Sequence, residues 1–307
     1  MRTMRTLFSA VCAFAILAIL VSCATSPEAQ LAKANRHLVH AASLLAAKSD
    51  ADSLAAAGLL NLAKHPDVSL SLIERATAAG PERPDLIWLR IQICQKAPPC
   101  DPEPVERQLR TLDASNGASW LGALARSSAL GNEAAKDAAL MAISRSARVD
   151  IYWTSLIVRL SRATAETKAA SLLEATTVVI GYLAAEAIPA YRVASDACKG
   201  ERLQHAEVVE VCRNVAKALE RGDTSITEMV GIRIAERVWP ENSQPWNEAS
   251  EARRSWEYRS NLLSHAGEWD APTLNEYLTL CAQNRREQDV DKALLVASGK
   301  DPNPPSK

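Results

Sequence analysis

The most reactive side chains of this sequence are cysteines, and four of them occur as two closely spaced pairs. Past residue 23, cysteines stand at Cys94, Cys100, Cys198, Cys212 and Cys281. A short loop with two prolines separates the first pair, and a break at Lys199-Gly200 between two predicted helices separates the second pair. Both spacings favour local disulfides, Cys94 with Cys100 and Cys198 with Cys212, with buried free thiols as the alternative. The odd residue, Cys281, is predicted to be a buried thiol in a helix, or else to pair between molecules.

Histidines and carboxylates give weaker indications of chemistry. His37 and His40 share one face of a predicted helix, but no third or fourth metal ligand follows nearby. His205 with Glu207 and Glu210 could form an acid–base cluster, although a solvated helix face is the better explanation. The sequence has no Gly-rich phosphate loop, no Gly-x-Ser-x-Gly elbow and no His-Glu-x-x-His pair. We therefore predict no enzyme, no catalytic residue, no metal site and no cofactor.

The N-terminal stretch has the three-part layout of a secretory signal. Arg2 and Arg5 precede an apolar run from Leu7 to Val21, and small residues follow it. The run is shorter than the ~20 residues that a membrane-spanning helix needs. Residues 1–22 are therefore predicted to be a cleaved signal peptide.

The residues that close this run, Leu20-Val21-Ser22-Cys23, resemble the lipobox of bacterial lipoproteins. The resemblance implies cleavage between Ser22 and Cys23 and palmitate-type acylation of Cys23, so that lipid alone holds the protein to a membrane. A plain signal peptide and an uncleaved anchor are the alternatives. In such lipoproteins an aspartate directly after the acylated cysteine implies retention at the inner membrane. This chain has Ala24 there, which implies that the protein lies on the periplasmic face of the outer membrane of a Gram-negative bacterium. Outside the cytosol disulfides persist, which favours the two local bridges.

The composition favours helices and gives no indication of nucleic-acid binding. The formal net charge is −1, with 35 basic and 36 acidic residues, so no general attraction to polyanions is expected. Glycines number only 11, alanine and leucine are abundant, and almost nothing alternates with the period of a strand. We predict a lipidated N-terminus and short tether over residues 23–30, a helical domain over 31–299 and a disordered tail over 300–307.

Tryptophans recur at a nearly constant spacing. Trp88, Trp120 and Trp153 are 32 and 33 residues apart, and we predict that these three and Trp246 occupy one core position of a repeat. The unit from Val209 to Asn242 places Ile232, Ala235 and Pro240 at the apolar, small and terminating positions of a helix pair, with Gly222-Asp223 at its turn. These features resemble degenerate tetratricopeptide repeats. The resemblance implies an all-α fold, a right-handed α-solenoid of helix-turn-helix pairs without significant β-sheet.

Helix starts can be read from capping-box spacings. Ser225 with Glu228, and Thr273 with Glu276, have the spacing of reciprocal N-terminal caps. Ser225 and Thr273 are therefore candidate N-terminal caps.

Aromatic and arginine residues off the repeat pattern predict a contact surface. Trp256 and Trp269 lie near Arg253, Arg254 and Tyr258, the composition of interface hot spots, although a solvated helix face is the alternative. We predict a lipid-anchored scaffold of the cell envelope that binds a protein or peptide partner and serves assembly or secretion. An envelope enzyme or enzyme activator acting on peptidoglycan, and a passive structural lipoprotein, are the alternatives.

Overall fold

The computed structural model describes residues 27–265 and 270–305. These residues form fourteen α-helices, 3-10 helices at Gly117–Trp120 and Gly200–Gln204, and no strand, only an isolated bridge between Asn116 and Arg148. The α-helices are α1 (Pro27–Ala46), α2 (Ala51–Asn61), α3 (Pro66–Ala79), α4 (Pro84–Cys94), α5 (Glu103–Leu112), α6 (Leu121–Ala129), α7 (Glu133–Ser144), α8 (Trp153–Glu166), α9 (Leu172–Ala197), α10 (Ala206–Glu220), α11 (Ser225–Val238), α12 (Gln244–Ser264), α13 (Ala271–Gln283) and α14 (Glu287–Ala297). The predicted all-α class is confirmed.

The signal peptide and the lipobox, including Ser22 and Cys23, lie outside the described residues. Pro27, the first described residue, already begins α1 within the segment 23–30 that we predicted as a tether. None of the described helices is long and apolar enough to cross a membrane. The lipid anchor stays a prediction from the sequence.

Side-chain caps set where several helices begin, and two of them differ from the predicted capping boxes. Thr224, one residue before Ser225, caps α11 by accepting from the Thr227 N–H at 3.0 Å. Asp270, three residues before Thr273, caps α13. The predicted caps at Ser225 and Thr273 are wrong, because a residue with a better-placed oxygen precedes each of them.

Several pairs of consecutive helices, such as α2–α3 and α10–α11, pack against each other across short turns, as the repeat pattern predicts. In the pair α10–α11 the backbones come very close at Gly231, where an added Cβ would lie 2.7 Å from the carbonyl oxygen of Ala216. Gly222-Asp223 forms the turn between these helices, as predicted. A glycine at such a crossing lets two helices bury more of each other than larger side chains would allow.

Helix α8 closes the stack of pairs on itself. It packs against its neighbour α9, but also against α1 and α2, which lie seven and six helices earlier, and against α13, which follows five helices later. Leu156, Ile157 and Leu160 of α8 are fully buried. In an open solenoid each unit contacts only its neighbours, so these contacts make α8 a central helix. The right-handed sense of the predicted superhelix stays a prediction.

The predicted core packing is confirmed for Trp88 and Trp153, but the regularly spaced tryptophans do not share one structural position, and that part of the prediction is wrong. Trp88 lies in the middle of α4, Trp153 is the first residue of α8, and both are buried. Trp120 ends a 3-10 helix and is half-buried under the guanidinium of Arg110, 3.6 Å from its ring centre. The spacing reflects similar repeat lengths, whereas the local helix start differs from pair to pair.

Both cysteine pairs form disulfides. Cys94–Cys100 joins the end of α4 to the loop before α5, with Cα atoms 5.2 Å apart. Cys198–Cys212 joins the end of α9 to α10, with Cα atoms 5.6 Å apart. Cys281 is a buried free thiol in α13, as predicted. Burial raises the pKa of this thiol to about 12, which keeps it protonated and unreactive.

Candidate functional site

A cleft of about 740 Å³ runs along one face of α8. Its floor extends from Thr154 to Glu166, one wall is the start of α2 near Asp52, and the other wall is the end of α13 near Gln283. We call this cleft the α8 groove. Its volume falls in the range of ligand-binding pockets, about 300–1,000 Å³. The packing of α8 against α2 and α13 therefore creates a concave surface among the described residues.

The turn that leads into α8 holds a non-glycine residue in the left-handed conformation. Tyr152 has φ 60° and ψ 35°, which costs a residue with a Cβ about 1–2 kcal/mol. Two hydrogen bonds offset this strain: the Tyr152 hydroxyl donates to Asp113 Oδ2 at 2.8 Å and accepts from Asn116 Nδ2 at 3.0 Å. Burial and the Asp113 carboxylate raise the pKa of Tyr152, so the hydroxyl stays a donor. Tyr152 lines the groove, and backbone strain of this kind concentrates at functional sites.

The carboxylate of Asp223 fixes the start of α8 from a distant turn. Asp223 is fully buried and accepts from the backbone N–H groups of Ile151 at 2.9 Å and Trp153 at 2.8 Å. Trp153 begins α8, so its N–H has no partner inside the helix. Burial, and then the Asp150 carboxylate, raise the pKa of Asp223 to about 7, while the two backbone hydrogen bonds act in the opposite direction. The pKa of the carboxyl group that anchors α8 is thus raised well above its ordinary value.

Asp150 is the second carboxylate at this end of the groove. It is 2% exposed, and its Oδ2 atom accepts from Arg148 Nε at 2.6 Å and from the guanidinium of Arg285. Its Oδ1 atom is buried without a hydrogen-bond donor among the described residues. Asp150 and Asp223 therefore form a buried corner in which one oxygen atom lacks a donor and one carboxyl group has a raised pKa.

The last helix pair holds the Asp223 turn from the other side. The backbone N–H of Glu287 donates to the carbonyl oxygen of Asp223 at 2.9 Å, and the Glu287 carboxylate accepts from the Ser225 N–H at 2.7 Å. The Ser225 hydroxyl donates to Asp291 at 2.9 Å. Burial, and then the Asp291 carboxylate, raise the pKa of Glu287 to about 8. Three turns that are far apart in sequence thus meet at one end of the groove.

The middle of the groove carries arginines that pair with the first helices. Arg159 of α8 lies 3.4 Å from Asp52 and 4.0 Å from Asp85. Arg83 satisfies both aspartates more closely, with a contact of 2.6 Å to Asp85. The carboxylates on this wall are therefore already neutralised, and the Arg159 guanidinium, on a side chain that is 48% exposed, keeps donors free to face the groove.

Two further cations and two acids line the remaining part. Arg162 and Glu166 of α8 are exposed, and neither forms a hydrogen bond or ion pair with another described residue. The Lys48 ammonium forms no direct ion pair either, although it is close enough to Asp50 for a Coulombic interaction. Asp50 itself accepts from the Ser53 N–H at 2.9 Å. The groove lining therefore carries charges of both signs in equal number, with five basic and five acidic side chains.

The predicted contact surface on α12 is partly used inside the molecule. Trp256 is half-buried, and its Nε1–H donates to the carbonyl oxygen of Ser225 at 2.8 Å. Arg253 donates to Glu236 at 2.6 Å. These contacts hold α12 against α11, so these two side chains serve internal packing at least in part.

The other residues of that surface are equally half-buried or lie outside the described residues. Arg254 pairs with Glu251 at 2.6 Å and donates to the carbonyl oxygen of Pro305 at 3.2 Å, which places the C-terminal segment beside α12. Tyr258 is half-buried. Trp269 lies outside the described residues. An intermolecular role for this surface stays a prediction.

The histidines and the acidic cluster of α10 show no shared site. His37 lies 3.0 Å from Glu174, and His40 is exposed. His205 and Glu207 are exposed at the start of α10, as expected for a solvated helix face. In the part of the chain that the structure describes, no three His, Cys, Asp or Glu side chains are placed to hold a metal ion together.

Sequence reasoning missed the residues of the α8 groove. Asp223 was recognised as a turn residue, but its side-chain partners lie 70 and 72 residues away. Arg159 and Arg162 are three residues apart on a helix, which places them on one face. That spacing was the available signal, although it does not reveal which helices form the walls.

Comparison with protein-family models, with curated proteins and with solved structures finds no match for this chain.

Proposed function

We propose that this protein is a lipid-anchored scaffold of the bacterial cell envelope that holds a protein or peptide partner in the α8 groove. The observation that carries the proposal is the groove itself, about 740 Å³ in volume, with a helical floor and two helical walls. A long open trench between helices suits an extended segment or a helix of a partner. The lipobox-like residues up to Cys23 support a location at the membrane, on the periplasmic face of the outer membrane. A tether there would raise the local concentration of the scaffold near other envelope components.

The partner site can be tested by photo-crosslinking in living cells. A photoreactive amino acid is placed at Ala282 or Glu166, both exposed in the groove, and at Ala134, which is exposed on α7, as the control. We expect the two groove positions to give the same discrete adduct and the control position to give none. Adducts that are equal at all three positions, or absent from the groove positions, would contradict the scaffold proposal and leave the passive structural lipoprotein.

The lipid anchor has a separate test. Replacing Cys23 by alanine should leave an unprocessed precursor that takes up no labelled palmitate, because the acylated side chain and the cleavage signal are both lost. Normal processing and labelling of this variant would refute the lipobox interpretation without affecting the groove.

One observation favours the alternative of an enzyme acting on peptidoglycan. Asp150 and Asp223 converge at the end of the groove, and the pKa of Asp223 is raised to about 7, as is common for acid–base groups. However, both Asp223 oxygens accept backbone N–H groups, and Asp150 pairs with two arginines. A structural role accounts for all of these contacts. Release of fragments from purified cell-wall material by the wild type, but not by an Asp150→Asn variant, would instead establish the enzyme.

A further inference from the structure

The C-terminal segment, residues 300–305, lies against helix α12. The ammonium group of Lys300 donates to the carbonyl oxygen of Leu262 at 3.4 Å, and the guanidinium of Arg254 donates to the carbonyl oxygen of Pro305 at 3.2 Å. Burial alternates with exposure along the whole segment, which is half-buried at Lys300, Pro302 and Pro304 and exposed at Asp301, Asn303 and Pro305. Every second residue therefore faces the protein, as expected for a segment that is docked on a surface.

The end of α14 directs this segment toward α12. Gly299 follows α14 in the left-handed conformation, with φ 74°, and the Lys300 N–H donates to the carbonyl oxygen of Leu295 at 2.8 Å. Glycine in this conformation terminates a helix and reverses the chain. Because α14 packs against α12, the chain that leaves this turn runs along α12. A second turn follows, in which the Asn303 N–H donates to the carboxylate of Asp301 at 2.8 Å.

The surface under the segment is one stripe of α12. Glu251, Arg254, Tyr258 and Leu262 follow one another at spacings of three and four residues, which places them on one side of the helix. We call these four residues the Tyr258 stripe. Arg254 and Leu262 are about 12 Å apart along the helix axis, at ~1.5 Å per residue. The segment reaches about 16 Å when fully extended, at ~3.3 Å per residue, so it can span both contacts with its turn included and pass Tyr258 between them.

The predicted contact surface of α12 therefore divides into two sides. Arg253 and Trp256 contact α11. Arg254 and Tyr258 lie on the side that carries the C-terminal segment. Two hydrogen bonds to Glu251, at 2.6 and 3.1 Å, hold the Arg254 guanidinium, so that its other terminal nitrogen is positioned to donate to a backbone carbonyl. This side thus combines an aromatic side chain with an oriented donor.

The chemistry of the Tyr258 stripe suits a proline-rich segment. Aromatic surfaces with donors for backbone carbonyls bind such segments, and the fixed φ of proline reduces the entropy that is lost on binding. Three of the six residues from 300 to 305 are prolines. Charge does not select the occupant, because Glu251 and Arg254 pair with each other and the segment carries one basic and one acidic residue. The features recognised are therefore proline rings and carbonyl oxygens.

We propose that the Tyr258 stripe is a docking site for a proline-rich segment of a partner protein, and that residues 300–305 occupy it until such a segment displaces them. The seated C-terminal segment carries the inference, since it shows which chemistry the surface accepts. Its hydrogen bonds to α12 are 3.2 and 3.4 Å long and half of its residues are exposed, so a competing segment can replace it. The α8 groove is lined by other helices, so this proposal is independent of the scaffold function proposed for the groove.

The proposal can be tested by peptide binding to the full-length protein in micelles of a neutral detergent. The probe is a fluorescein-labelled peptide with the sequence of residues 299–305, and binding is followed by fluorescence anisotropy. Pro302→Asp together with Pro304→Asp opens the stripe, because it places charges at two half-buried positions of the segment. We expect this opened protein to bind the probe roughly tenfold more tightly than the wild type, whose own segment competes at a millimolar effective concentration.

Variants of the opened protein locate the binding to the Tyr258 stripe. Tyr258→Ala should weaken binding of the probe roughly fivefold, whereas Tyr258→Phe, which keeps the ring, should bind as the opened protein does. Arg254→Gln should weaken binding roughly threefold, because a donor to a carbonyl oxygen is lost. Arg145→Gln, a matched change of an exposed arginine at the end of α7, should leave the affinity unchanged.

The proposal has clear contrary outcomes. Equal affinity of the wild type and the opened protein, no binding to the opened protein at millimolar probe, or equal losses from Tyr258→Ala and Arg145→Gln would overturn it. Equal binding of a probe with glycine at both half-buried proline positions would overturn the recognition of proline. A wild-type dimer in sedimentation velocity that the opened protein loses would show that a second copy supplies the segment, which would overturn a separate partner. Photo-crosslinking at Ala282 reports on the α8 groove alone, so either proposal can fail without the other.

Discussion

The buried carboxyl group of Asp223 should make the stability of this protein decrease as pH rises. Its pKa is about 7 in the folded chain, against an ordinary value of 3.8. Between these two pKa values, Asp223 is therefore protonated in the folded state and ionised in the unfolded state. The stabilisation that protonated Asp223 contributes is fully present below pH ~4. It is lost as the pH rises toward ~7 and is absent above that pH. Glu287 and Asp291, whose pKa values are raised by burial to about 8 and about 6, act in the same direction.

The size of the effect follows from the pKa shift. A difference of about 3 pKa units, at ~1.36 kcal/mol per unit, corresponds to an upper value of about 4 kcal/mol for Asp223. The unfolding entropy is ~2.1 cal/mol/K per residue, so for about 280 residues this free energy corresponds to a change in Tm of about 7 °C. The contributions of Glu287 and Asp291 do not simply add, because interacting carboxyl groups titrate together.

Thermal unfolding between pH 5 and pH 8, followed by circular dichroism, measures this effect. We expect the wild-type Tm to fall across the range and the Asp223→Asn variant to show a clearly smaller fall, because asparagine does not titrate. The variant should also be less stable at pH 5, since its amide can accept from only one of the two N–H groups of Ile151 and Trp153. Asp67→Asn, an exposed change in α3, should keep the wild-type slope. A Tm that is constant or rises from pH 5 to pH 8, or an Asp223→Asn variant with the full wild-type slope, would refute the reasoning.

Two further predictions concern how the helices are held together. Replacing Cys198 and Cys212 together by serine should lower the free energy of unfolding by about 3 kcal/mol, because the bridge closes a loop of roughly 15 residues; an unchanged urea midpoint would contradict this. Gly231→Ala should destabilise the protein by about 1–3 kcal/mol, since its Cβ would meet the carbonyl oxygen of Ala216 at 2.7 Å. The same change at Gly181, where an added Cβ meets nothing within 4 Å, should stabilise α9 by about 0.5–1 kcal/mol. Urea titrations in which both variants changed the free energy of unfolding in the same direction would disprove the close crossing.

The fold class could be predicted because its signals are local. Helical periodicity, the glycine and proline breaks, and the turn at Gly222-Asp223 each depend on a few neighbouring residues. The cysteine pairs were likewise predictable, since Cys94–Cys100 and Cys198–Cys212 close short loops. Helix starts were less predictable, because Thr224 and Asp270 competed with nearby residues that have the same capping chemistry.

The groove could not be predicted because it depends on contacts between distant helices. No local pattern indicates that α8 packs against both α2 and α13. The aspartate in a turn sequence such as Gly222-Asp223 is ordinarily a solvent-facing residue, whereas Asp223 is fully buried against the start of α8. The candidate site is therefore a property of the closure of the stack rather than of any single repeat.

That closure also determines how the groove can bind. In an open solenoid the curvature of a groove changes when neighbouring repeats shift, but here the floor and both walls meet at one buried corner. Asp223 holds the floor, and Glu287 holds the turn that carries Asp223. A partner segment would enter a groove that is already formed, so the main entropic cost of binding would come from ordering the segment itself. The buried corner that contains Asp223, whose pKa is raised by burial, also positions the groove, so the pH dependence of stability and the geometry of the groove share one physical origin.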